Sequence, residues 1–247
     1  MSQTFVMIHG SWHGGWAWQS VVRHLEAKGH RAHAPTLPGH EPGANRVGLT
    51  HQDYVDAVVA YIKRCDMNRL ILVGHSFGGS VISRVVEYLP DRIDGLIFLD
   101  AFVLADGESV YDNLPGELRQ LLDQLARASG DNTTLLPWEV WRDHFIQDTS
   151  EEVARVLWGH LCPEPNQPNV EKLDLKVFHT LDIARSYIHC RQDASLPPGS
   201  FHPRMSARLG TFKLVEMDGS HEVMFTRPAE VAERLIEASS AATVETP

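Results

Sequence analysis

Leu70-Ile71-Leu72-Val73-Gly74-His75-Ser76-Phe77-Gly78-Gly79 runs from an apolar stretch straight into a serine set between two glycines. A short apolar run of this kind reads as a buried strand, and the G-x-S-x-G behind it reads as a nucleophile elbow. Such an elbow needs small residues at Gly74 and Gly78, because the turn is sharp and pushes the serine into a strained, exposed position. Ser80 to Leu89 follows as S-V-I-S-R-V-V-E-Y-L, with Val81, Val85 and Leu89 four apart, which predicts a helix. Ser76 then sits at a helix N-terminus, where backbone N–H groups can stabilise an oxyanion.

The same strand-then-helix pattern extends outward in both directions. Thr4 to His9 and Arg31 to Ala34 read as strands before the elbow, and Gly95 to Leu99, Ala184 to Cys190 and Thr211 to Met217 as strands after it. Between them Trp18, Val21, Val22 and Leu25 recur at helical spacing, as do Val55, Val58, Val59 and Ile62 behind a Thr50-x-x-Asp53 capping signal. A last helix is expected from Pro228 to Ser239, with proline in its first turn. Strands separated by helices imply a parallel sheet.

Residues 105–177 break the pattern and show no convincing strand. Leu118, Leu121, Leu122 and Leu125, then Trp138, Trp141, Phe145, Val153, Val156, Leu157 and Trp158, predict a helical cap inserted after the fourth strand. Trp138 and Trp141, three apart, are expected to share a face and to line a substrate pocket. The expected organisation is one domain over 1–241, with core segments 1–104 and 178–241, and a flexible tail over 242–247.

Composition narrows the function. Lys plus Arg number 22 against 32 Asp plus Glu, a net charge of −10, which disfavours nucleic acid or an anionic membrane as partner. A small-molecule substrate is expected instead, and a homodimer is left open. The three cysteines, Cys65, Cys162 and Cys190, are widely spaced, as suits reduced thiols in a cytoplasm. No signal peptide and no span of about 18 apolar residues is evident, so a soluble cytoplasmic protein without membrane contact is expected. The 14 histidines form no H-E-x-x-H or Cys/His cluster, and no metal site is expected.

A serine nucleophile needs a base, a group that orients the base, and oxyanion donors. His221, in Gly219-Ser220-His221, lies between the last strand and the last helix, where a loop can bring an imidazole over the elbow. Asp193, just after the fifth strand, completes the chain order Ser, acid, His; Asp100, at the end of the fourth strand, is the alternative acid. The N–H of Phe77 is one oxyanion donor, and the N–H of Ser11 the other. Gly10 lets the backbone of His9-Gly10-Ser11-Trp12-His13 approach the site, and Trp12 is a further pocket residue.

The His9-Gly10 turn with W-H-G-G-W-A-W, the elbow G-H-S-F-G-G and the late G-S-H together resemble the α/β-hydrolase fold, in the branch of plant methylesterases, hydroxynitrile lyases, and bacterial esterases of pyrethroids and aryl methyl carbamates. The resemblance covers nearly the whole chain and is weakest in the cap. It implies a mostly parallel sheet of about six strands flanked by helices with a cap insertion, and a Ser76, His221, Asp193 triad with oxyanion donors at Ser11 and Phe77. It also implies serine esterase chemistry on a hydrophobic ester or carbamate, with no cofactor. Three other activities share the fold. A lyase of this branch carries lysine after its histidine, where this chain has Glu222. A cofactor-independent ring-cleaving dioxygenase takes its acid from the position of Asp100. A ligand receptor keeps the triad but depends on binding.

Overall fold

Side chains alternate across each strand, so every strand feeds two cores. In the computed structural model, which describes residues 2–240, Phe5 and Met7 of the first strand face one side of the sheet while Val6 and Ile8 face the other. Ile71 and Val73 join the first set, Leu70 and Leu72 the second. The chain order is β1 (Thr4–Ile8), α1 (Gln19–Ala27), β2 (Arg31–His33), α2 (His51–Arg64), β3 (Leu70–His75), α3 (Gly78–Tyr88) and β4 (Ile93–Leu99). An insertion follows with α4 (Gly116–Ser129), β5 (Thr133–Thr134), α5 (Trp138–Val140), α6 (Glu151–Trp158), β6 (Glu164–Pro165), α7 (Gln167–Val170) and α8 (Lys176–Thr180). The chain then closes with β7 (Ala184–Cys190), β8 (Lys213–Met217), α9 (Val223–Thr226) and α10 (Pro228–Ser239).

The main sheet has six strands in the order β2-β1-β3-β4-β7-β8, all parallel. α1 and α10 bury Val21, Leu25, Val231 and Leu235 on one face. α2 and α3 bury Val55, Val58, Val81 and Val85 on the other, beneath the cap. The Thr50–Asp53 capping box forms at the start of α2, each side chain accepting from the other's backbone N–H. Strand order reverses between β1 and β3, and ligand sites of open parallel sheets lie at the carboxyl ends of the strands at such a point. The loops after β1 and β3 carry Ser11 and Ser76.

Three expectations need adjustment. The helix behind the elbow begins at Gly78 rather than Ser80. The insertion also contains strand: Thr133–Thr134 pairs antiparallel with Glu164–Pro165. A pair of two-residue strands leaves no alternating pattern in the sequence and exists only through its long-range partner. α8 crosses the expected cap boundary at 177, and Phe178 packs edge-on against Phe98 of β4. The expected tail over 242–247 lies outside the described residues. No helix among the described residues is long and apolar enough to cross a membrane.

Candidate active site

The elbow forms because glycine lets three backbone segments meet. A Cβ on Gly74 would stand 2.6 Å from the Gly78 carbonyl oxygen, and one on Gly78 would stand 2.6 Å from the Ile8 carbonyl oxygen. Ser76 itself takes φ +50, the left-handed region that non-glycine residues enter only at a cost of about 1–3 kcal/mol. The surroundings hold it there: Ser76 N–H donates to the Leu99 carbonyl at 3.3 Å, and its own carbonyl accepts from Gly79 at 3.1 Å and Phe102 at 3.0 Å. The serine is thus presented at the mouth of the sheet.

His221 shares a cavity with Ser76. Its Nδ1–H donates to Asp193 Oδ2 at 2.6 Å, which leaves Nε2 as the proton acceptor. The other Asp193 oxygen accepts from the Ser195 backbone N–H at 2.8 Å and its hydroxyl at 2.7 Å, so the carboxylate is held at both ends. Phe201 stacks on the imidazole at 5.6 Å, and Phe145 meets it edge-on at 5.2 Å. Burial pushes the imidazole pKa down, but the charge and hydrogen bond of Asp193 outweigh it and bring it to about 9. Burial likewise opposes ionisation of Asp193, and the His221 charge and hydrogen bond, with those of Ser195, hold its carboxyl below the usual range.

Asp100 lies elsewhere in the network. It is fully buried at φ +30 and accepts from His189 Nδ1–H at 3.0 Å and the Cys190 backbone N–H at 2.9 Å. Both oxygens are occupied away from His221, and burial raises its pKa to about 7.

Gly10 stands where a Cβ would press to 2.9 Å from the Ser76 Cβ. Beyond it Trp12 takes φ +64, and three ties hold that strained loop. The Ser11 carbonyl accepts from His13 Nδ1–H at 2.7 Å, the Trp12 N–H donates to Glu164 Oε2 at 3.0 Å, and the Trp12 carbonyl accepts from the Cys162 N–H at 2.8 Å. Glu164 is buried and also receives His40 Nε2–H at 2.7 Å, so the cap strand grips the core loop through a buried ion pair. Among the described residues the N–H groups of Ser11 and Phe77 donate to no protein acceptor. Both remain available to a developing oxyanion.

The cavity has mostly apolar walls, Phe102, Leu114, Leu118, Leu122, Phe145 and Phe201 among them. Trp12 lines it; Trp138 and Trp141 do not. Trp141 is fully buried, donates its indole N–H to the Ala154 carbonyl at 2.9 Å, and stacks behind Phe145 at 6.3 Å. Trp138 packs against Trp158 at 5.9 Å, with the Arg155 guanidinium 4.1 Å above its ring. Spacing of three put the two indoles near one face, but packing turned one into the cap core and left the other beneath an arginine. Trp141→Ala is therefore expected to cost about 3–5 kcal/mol of stability, as for other buried tryptophans, and Trp138→Ala far less. Thermal unfolding of both variants, with the order of preference among esters measured alongside, checks this; the order is expected to hold in Trp138→Ala.

Several site residues carry no signal in the sequence. Ser195, Phe201 and Phe145 reach His221 through loops and cap turns, and Glu164 reaches Trp12 across 152 positions. Only Asp-x-Ser at 193–195 offers a local hint, as a turn in which a side chain caps its own loop.

The chain is similar to several known proteins. A solved structure described as an extracellular α/β-hydrolase from a Paenibacillus species, sharing structural and functional homology with tobacco salicylic acid binding protein 2, superposes with a TM-score of 0.94 at 40% identity, over 97% of this chain and all of that one. The pyrethroid hydrolase of Sphingobium wenxiniae is 27% identical over 245 residues, 96% of this chain and 87% of that protein. The carbendazim hydrolyzing esterase of a Nocardioides species is 38% identical over 116 residues; that match spans 46% of this chain and about half of that relative, 48%. The family match itself runs over residues 5–234, and the chain belongs to the Alpha/beta hydrolase family, among hydrolases of the esterase type.

Proposed function

We propose that this chain is a serine esterase that hydrolyses a small, hydrophobic or aromatic carboxylic ester or carbamate through an acyl-enzyme. The observation that carries the proposal is the strained Ser76 opening into the same cavity as His221, whose Nδ1–H is held by Asp193. Ser76 Oγ adds to the ester carbonyl and passes its proton to His221 Nε2, while the oxyanion takes the N–H groups of Ser11 and Phe77. The tetrahedral adduct collapses, the carbonyl–alkoxy bond breaks, and His221 returns the proton to the departing alcohol. Water then attacks the acyl-enzyme, giving its proton to His221, and the acid leaves as Ser76 recovers its proton.

The walls support the substrate class. A lining in which apolar side chains outnumber the polar ones of Ser11, Ser76, Thr134, Asn169, Ser195 and His221 favours an acyl or aryl group over a sugar or a charged chain. The names of the pyrethroid and carbendazim relatives point the same way. Three free cysteines, one of them exposed, support a reducing compartment. A panel of p-nitrophenyl esters of increasing acyl length, methyl esters of aromatic acids, and aryl carbamates tests the reading with purified protein. Turnover concentrated among compact hydrophobic esters or carbamates is expected; no turnover across the panel would remove the esterase reading.

A further inference from the structure

His13 and Glu222 are both buried beside the oxyanion loop, and the reaction above uses neither. His13 Nδ1 faces the Ser11 carbonyl, which only accepts, so Nδ1 carries the proton. Its Nε2 then presents a lone pair. The atom it meets is Glu222 Oε2 at 3.6 Å, and among the described residues neither atom has a hydrogen-bond partner. Trp16, Trp141 and Phe225 close around the His13 ring at 5.6, 5.8 and 5.6 Å, which keeps the pair away from water. Two lone pairs cannot face each other in a dry site without cost, and one proton between them removes the conflict.

We propose that Glu222 is kept as a neutral carboxylic acid whose O–H points at His13 Nε2, so that Glu222 and His13 together act as positioning residues for the Ser11 carbonyl and hold the oxyanion loop in shape. At 3.6 Å the contact is longer than a hydrogen bond, and a small turn of the carboxyl closes it, as contacts in a catalytic site tighten around the reacting substrate. The chain O–H to Nε2, then Nδ1–H to the Ser11 carbonyl, supports one end of the strained Trp12 turn while Glu164 supports the Trp12 N–H. The groups around the pair agree with this placement of the proton. Burial drives the Glu222 carboxyl up to about 8, with Asp193 adding to the rise and the His221 charge opposing it. Burial also drives His13 down to about 3 against its bond to Ser11, and the His221 and His40 charges add to that fall.

The inference rests on the esterase reading for its kinetic consequences but not for its chemistry. Glu222→Gln keeps a donor of the same shape, whereas Glu222→Met fills the space without one. Near wild-type kcat is expected for the glutamine variant. The methionine variant is expected to lose about ten- to a hundredfold in kcat, as when an oxyanion donor is misplaced, and to lose affinity for a trifluoromethyl ketone in parallel, with KM and melting temperature little changed. Unaltered kcat and ketone affinity in Glu222→Met would overturn the positioning role. A glutamine variant as poor as the methionine one would overturn the neutral donor. Infrared spectroscopy tests the proton without any turnover: the difference between the wild-type and Glu222→Gln spectra at neutral pH, in which any band of the buried Asp100 carboxyl cancels, is expected to hold the carbonyl stretch of a protonated carboxyl, and its absence from that difference overturns the proposal even if ester hydrolysis fails for another reason. Should Glu222→Met not fold, the glutamine variant and the infrared band decide the matter.

Discussion

Ser76→Ala is expected to abolish ester hydrolysis, with a fall in kcat on the order of a millionfold, the scale seen when a triad nucleophile is removed. The expectation follows from backbone as much as from chemistry. Among the described residues only this serine is held at φ +50 over the start of α3, in one cavity with an imidazole whose Nε2 is free to take a proton. Labelling by a fluorophosphonate should vanish with it, because the reagent needs the same activated oxygen. The fold should survive, because alanine keeps the Cβ and the turn, and the melting temperature is measured with activity. Labelling that persists in Ser76→Ala places the nucleophile elsewhere and removes the elbow reading.

Asp193→Asn is expected to lower kcat by roughly 10⁴, the scale for a triad acid that fixes the histidine tautomer. An asparagine amide turned toward His221 Nδ1 would force the ring to carry its proton on Nε2, where the serine proton must go. Asp100→Asn should cost far less, because Asp100 serves His189 and Cys190 rather than His221. The pH dependence carries a second signature. His221 must be neutral to act as base, and its pKa is raised by Asp193, so kcat/KM climbs with pH toward about 9 and the limb of the residual activity in Asp193→Asn moves to lower pH. Stability follows the same pair with opposite limits. A raised His221 stabilises the fold fully below about 6.5 and loses that contribution as pH rises; a lowered Asp193 contributes above about 3.9 and loses it as pH falls. Unfolding temperatures across pH should therefore flatten in Asp193→Asn. Near-normal turnover in that variant beside collapse in Asp100→Asn would reverse the assignment, and oxygen uptake with hydroxyquinolone-type substrates would then test the ring-cleaving alternative.

The core of the fold was legible because its signals are local. Thr4–Ile8 and Leu70–His75 are apolar, buried strands wherever their neighbours stand, and Thr50 with Asp53 caps α2 within three residues. The elbow is local too: glycines at 74 and 78 follow from the steric demands of a single turn. From such signals the sequence alone determined the parallel α/β frame and the turn that presents Ser76.

The tertiary structure decided whatever depends on direction across long separations. Asp193 and Asp100 both follow strands of the sheet, and spacing could not tell which carboxylate turns toward His221. Trp138 and Trp141 differ by three positions, yet one indole found the Ala154 carbonyl and the other an arginine. The cap strand at Glu164, the ion pair with His40 and the facing of Glu222 and His13 are equally without a local trace, since each partner lies far off in the chain. A side chain's rotamer is chosen by packing and by whichever buried polar group must be satisfied, and those are properties of the assembled core rather than of a pattern of residues.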